Sequence, residues 1–285
     1  MNLKKIIRHP RKLVYQLGVR CGFPLLNDKQ YIKLMYWSQF GKLPDLEHPK
    51  TFNEKIQWLK LHDRKEIYTT MVDKYEGKKY VEQIVGSEYI IPTIGVWDSF
   101  DEINFDILPN QFVLKTTHDS GGVVIVKDKS KLDIEKAKAK LNKSLKRNYY
   151  YIGREYAYKN ITPRLIAEPY LTEKNHEVVD NWKFYCVDGD VKLYYVSIGG
   201  GHTDACRISY FDLNNKMIPV RSSQFLNFKA EEILIPDELG KMEQLTSILS
   251  KGMKFLKVDF YYVNNHIYVG ELKSLKNERN EHEFI

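Results

Sequence analysis

No run of about 18 apolar residues occurs in these 285 residues, so no segment predicts a membrane-spanning helix. Cysteine is scarce. Cys21, Cys186 and Cys206 are scattered and odd in number, which argues against a disulfide framework. No CxxC or His-rich pair accompanies them, so a zinc site has no support either. Glycine and proline do not gather into a low-complexity linker, and the chain shows no internal repeat. Its first ten residues carry basic side chains but no apolar core or small-residue cleavage site, unlike a secretory signal. Helix-turn-helix, zinc-finger and RNP-like signatures are all missing, so nucleic acid is not an expected partner. These absences predict a cytoplasmic protein. With 43% hydrophobic and 28% charged residues, a globular fold rather than disorder is the default.

Acidic residues are also absent from the start, where Lys4, Lys5, Arg8, Arg11, Lys12 and Arg20 all precede Asp28. Interleaved with Ile6, Ile7, Leu13, Val14 and Leu17, they make residues 1–20 a basic amphipathic segment. Such a segment suits peripheral contact with the inner, anionic face of a membrane. A solvated extension explains it equally, and Pro10 speaks against one long helix.

From 30 to 65 the apolar spacing is helical, with a second start at Thr51, where Glu54 stands three residues on as in a capping box. Asp73 is placed to cap a helix through about Val85. Beyond it the period changes to that of strands, at 90–97, 111–115 and 123–126. A basic helix is expected over 133–146 and another over 238–249. Further strands are expected at 164–168, 182–187, 191–197 and 208–212, with a hairpin at 257–272. The pattern is α+β, with mixed or antiparallel sheets and two lobes. The expected divisions are an extension over 1–65, one lobe over 66–160 and a second over 161–285.

Four runs carry chemistry. Lys115 ends a strand before Ser120-Gly121-Gly122 and a second strand, which makes a hairpin whose backbone N–H groups can approach phosphate. A plain hairpin with turn glycines reads the same residues equally well. Asp73-Lys74 at a helix start offers a second cation. Glu168-Pro169-Tyr170-Leu171 ends a buried strand and can present backbone groups and a carboxylate to a purine nucleoside. Asp259 and Glu271 lie on neighbouring strands and could share a magnesium ion. Register decides this last case. A two-residue turn at Asn264-Asn265 turns Glu271 away from Asp259, whereas a longer loop or a bulge brings them opposite.

These pieces stand in the order and approximate spacing of the ATP-grasp superfamily. The gap from Asp259 to Glu271 resembles that of its biotin-carboxylase-type members. The run from Pro49 to Lys60, the hairpin around Lys115 and Gly153-Arg154-Glu155 with Lys159-Asn160-Ile161 are more specific. With Val258-Asp259-Phe260-Tyr261 and Gly270-Glu271-Leu272, they resemble the TupA-like ATP-grasp family of bacterial polysaccharide biosynthesis, over roughly residues 30–272. The resemblance implies that Lys74 and Lys115 bind ATP phosphates under the Ser120-Gly121-Gly122 loop. It puts Glu168, Tyr170 and Leu171 at the adenine, Lys183 facing the nucleotide, and Mg2+ on Asp259 and Glu271. Lys257, on the same strand face as Asp259, stands where relatives place an arginine that steadies the transferring phosphoryl group. The implied reaction is ATP-dependent joining of a carboxylate, from a uronic-acid sugar or glycan, to an amine.

One departure matters. The family usually carries threonine, and the superfamily asparagine, two residues after Glu271; here the residue is Lys273, a cation that should repel a metal. The tail 274–285 is polar and lacks a core-forming period, the pattern of a truncated closing segment. An active enzyme, a slow nucleotide binder and an inactive relative all fit this ending. A glycosyltransferase remains a rival, though no DxD triplet or leading βαβ unit is present. So does a non-catalytic scaffold that uses residues 1–20 and the basic helix near 136–146. Arg154, Glu155 and Arg207 read as surface ion-pair residues.

Overall fold

The structure is a computed structural model and describes residues 10–172, 179–199, 205–220 and 225–274. The first nine residues of the basic segment and the tail from 275 lie outside the described residues. Helix α1 (Pro10–Cys21) begins at the very proline expected to interrupt it. The first helical position needs no N–H donor, and proline's fixed φ suits it. Helix α2 (Asp28–Phe40) starts from a capping box between Asn27 and Gln30. Helix α3 (Phe52–His62) starts from the expected Thr51–Glu54 box. Burial alone would raise the Glu54 carboxyl, but N–H groups of Thr51, Asp45 and Lys50 and the Thr51 hydroxyl lower it to about 2. The segment 41–51 between α2 and α3 is not helical.

Helices α4 (Ile67–Val72) and α5 (Glu76–Val85) lead into strand β1 (Gly95–Trp97). The strand expected from 90 is therefore shorter. Pro92 lacks the donor a ladder needs, and Ile90 instead makes a lone parallel bridge to Val269. Strands β2 (Phe112–Thr116) and β3 (Val123–Val126) form the expected hairpin, followed by α6 (Ile134–Leu145), α7 (Tyr150–Gly153) and β4 (Leu165–Pro169). Next come β5 (Asn181–Val187), β6 (Asp190–Ile198), β7 (Arg207–Phe211) and β8 (Met217–Ile218). Helix α8 (Leu239–Leu249) and the hairpin of β9 (Phe255–Val263) and β10 (His266–Lys273) complete the described chain. No helix among the described residues is long and apolar enough to cross a membrane.

The strands make two sheets, in the orders β1-β4-β2-β3 and β10-β9-β5-β6-β7-β8. Every ladder in both is antiparallel. Strand β4 lies past residue 160 yet pairs within the smaller sheet, between β1 and β2. Alternation sorts each sheet into two faces. Phe112, Leu114, Leu165 and Ala167 pack with Ala137 and Leu141 of α6. On the larger sheet, Trp182, Phe184, Val258, Phe260 and Leu272 pack with Met242, Leu245 and Leu249 of α8. The opposite faces hold Lys115 and Glu168 on one sheet, and Lys183, Lys257, Asp259 and Glu271 on the other. Near α3 that second face is closed by Ile56, Tyr185, Tyr195 and Tyr210.

Two cations are buried under the helical layer. Arg154, expected at the surface, is fully buried, with its guanidinium over the rings of Tyr31, Tyr150 and Tyr151. Lys60 is fully buried too and donates to the Gly153 carbonyl at 3.0 Å. Burial pushes its ammonium down to about 8, against the pull of Glu155. Between that value and the ordinary lysine value of about 10.4, the unfolded chain binds more protons than the native one. Wild-type stability should therefore rise with pH in this window relative to Lys60→Met. The slope should reach ~1.4 kcal/mol per pH unit. Denaturant melts of both proteins between pH 7 and 11 measure it, and a constant difference would refute the burial of a charged Lys60.

Candidate active site

Strand β2 alternates buried Phe112, Leu114 and Thr116 with Val113 and Lys115 on the other face. Glu168 sits opposite Val113 on β4, so its carboxylate and the Lys115 ammonium share that face. They form an ion pair, and Lys78 of α5 reaches the second carboxylate oxygen at 2.6 Å. Burial alone would raise the Glu168 carboxyl, but Lys115 and Lys78 hold it below the usual range. The same pairing holds the Lys115 ammonium above its ordinary value despite burial. Sequence reasoning missed Lys78, although its place four residues after Lys74 was a usable signal. Tyr170 and Leu171 follow β4 as half-buried residues.

Lys74, in the turn before α5, donates to the Asp119 carbonyl at 2.6 Å. Its backbone N–H bonds the Thr117 carbonyl, which stitches the turn to the hairpin loop. Burial pulls its ammonium below the ordinary lysine value, and Glu271, Lys273, Lys115 and Asp119 all lie within its electrostatic reach. That reach connects the turn before α5 to Glu271 on β10.

The hairpin loop is tied down from beneath. Asp119 is buried and accepts from Ser144 of α6 and from the Arg147 guanidinium, whose Nη2 stands 2.7 Å from Oδ1. Ser120 and Gly121 are exposed at the tip, while Gly122 is buried. A Cβ on Gly122 would lie 2.1 Å from Ser144 Oγ and 2.2 Å from Thr116 Oγ1. Gly122→Ala should therefore cost about 1–3 kcal/mol in denaturant melts, as overpacked sites do, and shift the loop off its anchor. Neither Asp119 nor Arg147 was visible as a site residue, because 28 positions separate them.

The β9–β10 hairpin resolves the register question in an unexpected way. The turn is the two-residue one, with Val263 paired to His266 and with Asn264 and Asn265 both at positive φ. On its own it would turn Glu271 away. A bulge between Val269 and Glu271 adds one residue, and Asp259 then lies directly across from Glu271. The extra residue is Gly270, where a Cβ would come 2.6 Å from the Tyr261 ring. Lys183 faces Asp259 from β5, with its ammonium 5.4 Å from the centre of the Tyr195 ring.

The carboxylate pair is already compensated. Lys273 Nζ lies 2.7 Å from Glu271 Oε2 and 3.9 Å from Asp259 Oδ2. Lys257 Nζ lies 3.7 Å from Asp259 Oδ1 and donates to the Tyr195 hydroxyl at 3.2 Å. Asp259 Oδ1 is buried and has no hydrogen-bond partner among the described residues, an atom of the kind a metal would take. No group of three or more His, Cys, Asp or Glu able to hold a metal occurs among the described residues. With two ammonium groups beside two carboxylates, the residues present do not fit a resident divalent ion.

From the two sheets, α5 and the turn before it, six lysines (74, 78, 115, 183, 257 and 273) stand around three carboxylates (168, 259 and 271). That excess of positive charge suits a polyanion.

No curated protein matches the chain. Among solved structures, D-alanine–D-alanine ligase from Bacillus anthracis complexed with ATP is 17% identical, with a TM-score of 0.43 over 72% of this chain and 54% of that one. The ATP-grasp ligase PsnB with its minimal precursor is 11% identical, with a TM-score of 0.42 over 80% of this chain and 60% of that one. The D-alanine–D-alanine ligase of Helicobacter pylori is 14% identical, with a TM-score of 0.39 over 73% and 52%. The chain thus spans less than two thirds of the length of each. The family model described as TupA-like ATPgrasp matches residues 54–284, and the chain belongs to that family.

Proposed function

We propose that this protein is an ATP-dependent carboxylate–amine ligase of bacterial surface polysaccharide or capsule biosynthesis. The observation that carries the proposal is the lysine excess gathered from the faces of two antiparallel sheets, α5 and the turn before it, beside a glycine loop anchored through Asp119. Lys74 and Lys115 hold the ATP phosphates, and Ser120, Gly121 and Gly122 cover them with backbone N–H groups. Glu168 orients Lys115 and Lys78, and it lines the adenine end together with Tyr170 and Leu171. Lys183 faces the nucleotide. In this division 66–160 and 161–285 are the two gripping lobes, with β4 of the second completing the sheet of the first, and 1–65 is the extension. Contact of residues 1–20 with an anionic membrane surface belongs to the same proposal.

A carboxylate oxygen of the acceptor attacks the γ-phosphorus, ADP leaves, and an acyl phosphate forms. The amine nitrogen then attacks the acyl carbon, phosphate leaves, and the nitrogen loses a proton to give the amide. Positioning and cations at the developing phosphoryl charge do the work, and Lys257 is the cation assigned to that charge. It keeps the positive charge of an arginine but lacks its two-pronged geometry. Mg2+, the ion expected at Asp259 and Glu271, enters no step here because Lys273 stands beside both. A uronic-acid sugar or glycan supplies the carboxylate, and a small amine the nitrogen.

The test has two stages. Calorimetric titration should give saturable ATP binding that UDP-sugars do not compete for. Phosphate release should then appear when uronic acids and amines are supplied together, and not with either alone. Binding of UDP-sugars without binding of ATP would transfer the site to a glycosyltransferase.

A further inference from the structure

Strand alternation puts Lys257, Asp259, Glu271 and Lys273 on one face, with Lys273 directly across from Lys257 and Glu271 directly across from Asp259. Two carboxylates at that spacing repel one another unless a cation joins them. The chain supplies that cation itself. Lys273 Nζ is at hydrogen-bonding distance from Glu271 and within ion-pair range of Asp259. Its side chain is mostly buried, so it is held in place rather than waving in solvent. Lys257 completes the square from the other side of Asp259. Two negative and two positive groups leave this patch neutral before any ion arrives.

We propose that Lys273 is a tethered counter-cation that replaces a divalent ion at the Asp259–Glu271 pair, so nucleotide binding by this chain does not depend on Mg2+ there. Magnesium needs oxygen ligands at about 2.0–2.1 Å in near-octahedral array. To reach both carboxylates it would have to expel the Lys273 ammonium from its 2.7 Å contact and sit beside Lys257 as well. The Lys273 ammonium already meets Glu271 at ordinary hydrogen-bond length and Asp259 within ion-pair range, with no expulsion. The fixed charge also stands within reach of Lys74, so it extends the row of cations offered to a phosphate chain.

The inference concerns the carboxylate pair and does not require ligase activity, so Mn2+ alone is the first probe. Electron paramagnetic resonance titration should show that Lys273→Met binds Mn2+ at least about tenfold more tightly than wild type, with Lys273→Asn behaving similarly. Adding Asp259→Asn to Lys273→Met should abolish the gain. Equal Mn2+ binding by wild type and Lys273→Met, or a gain that survives Asp259→Asn, would overturn the proposal. Circular dichroism checks that each variant is folded. In a second arm, wild-type affinity for ADP should differ by less than about threefold between EDTA and Mg2+. A tenfold tightening by Mg2+ would also overturn it. If wild type binds no ADP at all, the ligase proposal fails and the Mn2+ comparison alone decides the role of Lys273.

Discussion

Lys115→Met is expected to weaken ATP binding by roughly 10- to 100-fold while leaving the protein folded. The loss follows from removing one charge-assisted contact to phosphate, worth about 1.5–3 kcal/mol. Tolerance of the change follows from Glu168, which is buried and would otherwise be stranded as an unpaired anion. Lys78 reaches its other oxygen at 2.6 Å and stays in place. With one partner instead of two, the Glu168 carboxyl should move back toward its ordinary value. Its folded pKa lies below the unfolded one, so its contribution to stability is complete above about pH 4.5 and fades as pH falls through the folded value. The variant should therefore lose stability at a higher pH during acid titration than wild type. Calorimetry reads the first effect and acid melts the second. Unchanged ATP affinity in a folded Lys115→Met protein would remove the hairpin from the nucleotide site.

Arg154→Met should destabilise the protein by about 3–5 kcal/mol, the usual cost of breaking a buried charged cluster. Its Nη2 donates to the carbonyls of Gly22, Phe23 and Leu26 at 3.0, 3.1 and 3.3 Å, which ties the end of α1 and the following turn to α7. Those carbonyls lose their shared donor, and three tyrosine rings lose the cation stacked on them. Asp28, whose Oδ1 lies 3.3 Å from Arg154 Nε, does not become unpaired, because Arg64 at 2.7 Å and the Tyr150 hydroxyl at 2.6 Å still reach it. The damage should concentrate in the helical layer. Hydrogen exchange should show α1 and α2 opening while β9 and β10 stay protected. Arg154→Lys should recover little, since a compact ammonium does not reproduce the flat guanidinium that lies over three tyrosine rings. A loss below 1 kcal/mol would contradict the anchoring role.

Local patterns carried much of this fold. The Thr51–Glu54 box, the basic helix from 133 and the period-two strands other than β1 follow from short-range chemistry, and each stands within about two residues of its expected place. Lys115 and the Asp259–Glu271 pair were legible for the same reason, since each belongs to a strand with clear alternation. What escaped depends on distance along the chain or on one misleading residue. Arg154 looks like any polar residue after a glycine, and only the rings of Tyr31 and Tyr150 explain its burial. Asp119 and Arg147 meet through a helix that no local pattern connects to the loop. The Ile90–Trp97 run is apolar enough for one strand, but Pro92 divides it between two sheets. Lys273 was visible as an anomaly. Its contact with both carboxylates depends on a bulge that spacing alone left open.

That bulge makes the last hairpin a device governed by parity. Side chains beyond Gly270 point where they do because an odd residue has been inserted into an otherwise even ladder. Straightening the ladder with all its residues kept would pair Gly270 with Asp259 and reverse the whole end of the strand. Glu271 and Lys273 would be driven into the oily side, and Leu272 would be turned out among the charges. Deleting Gly270 instead would leave a regular ladder in which Val269 still pairs with Phe260 and Glu271 with Asp259. The facing of the charged end is therefore set by the count of residues between the turn and Glu271, with the bulge taking up the odd one.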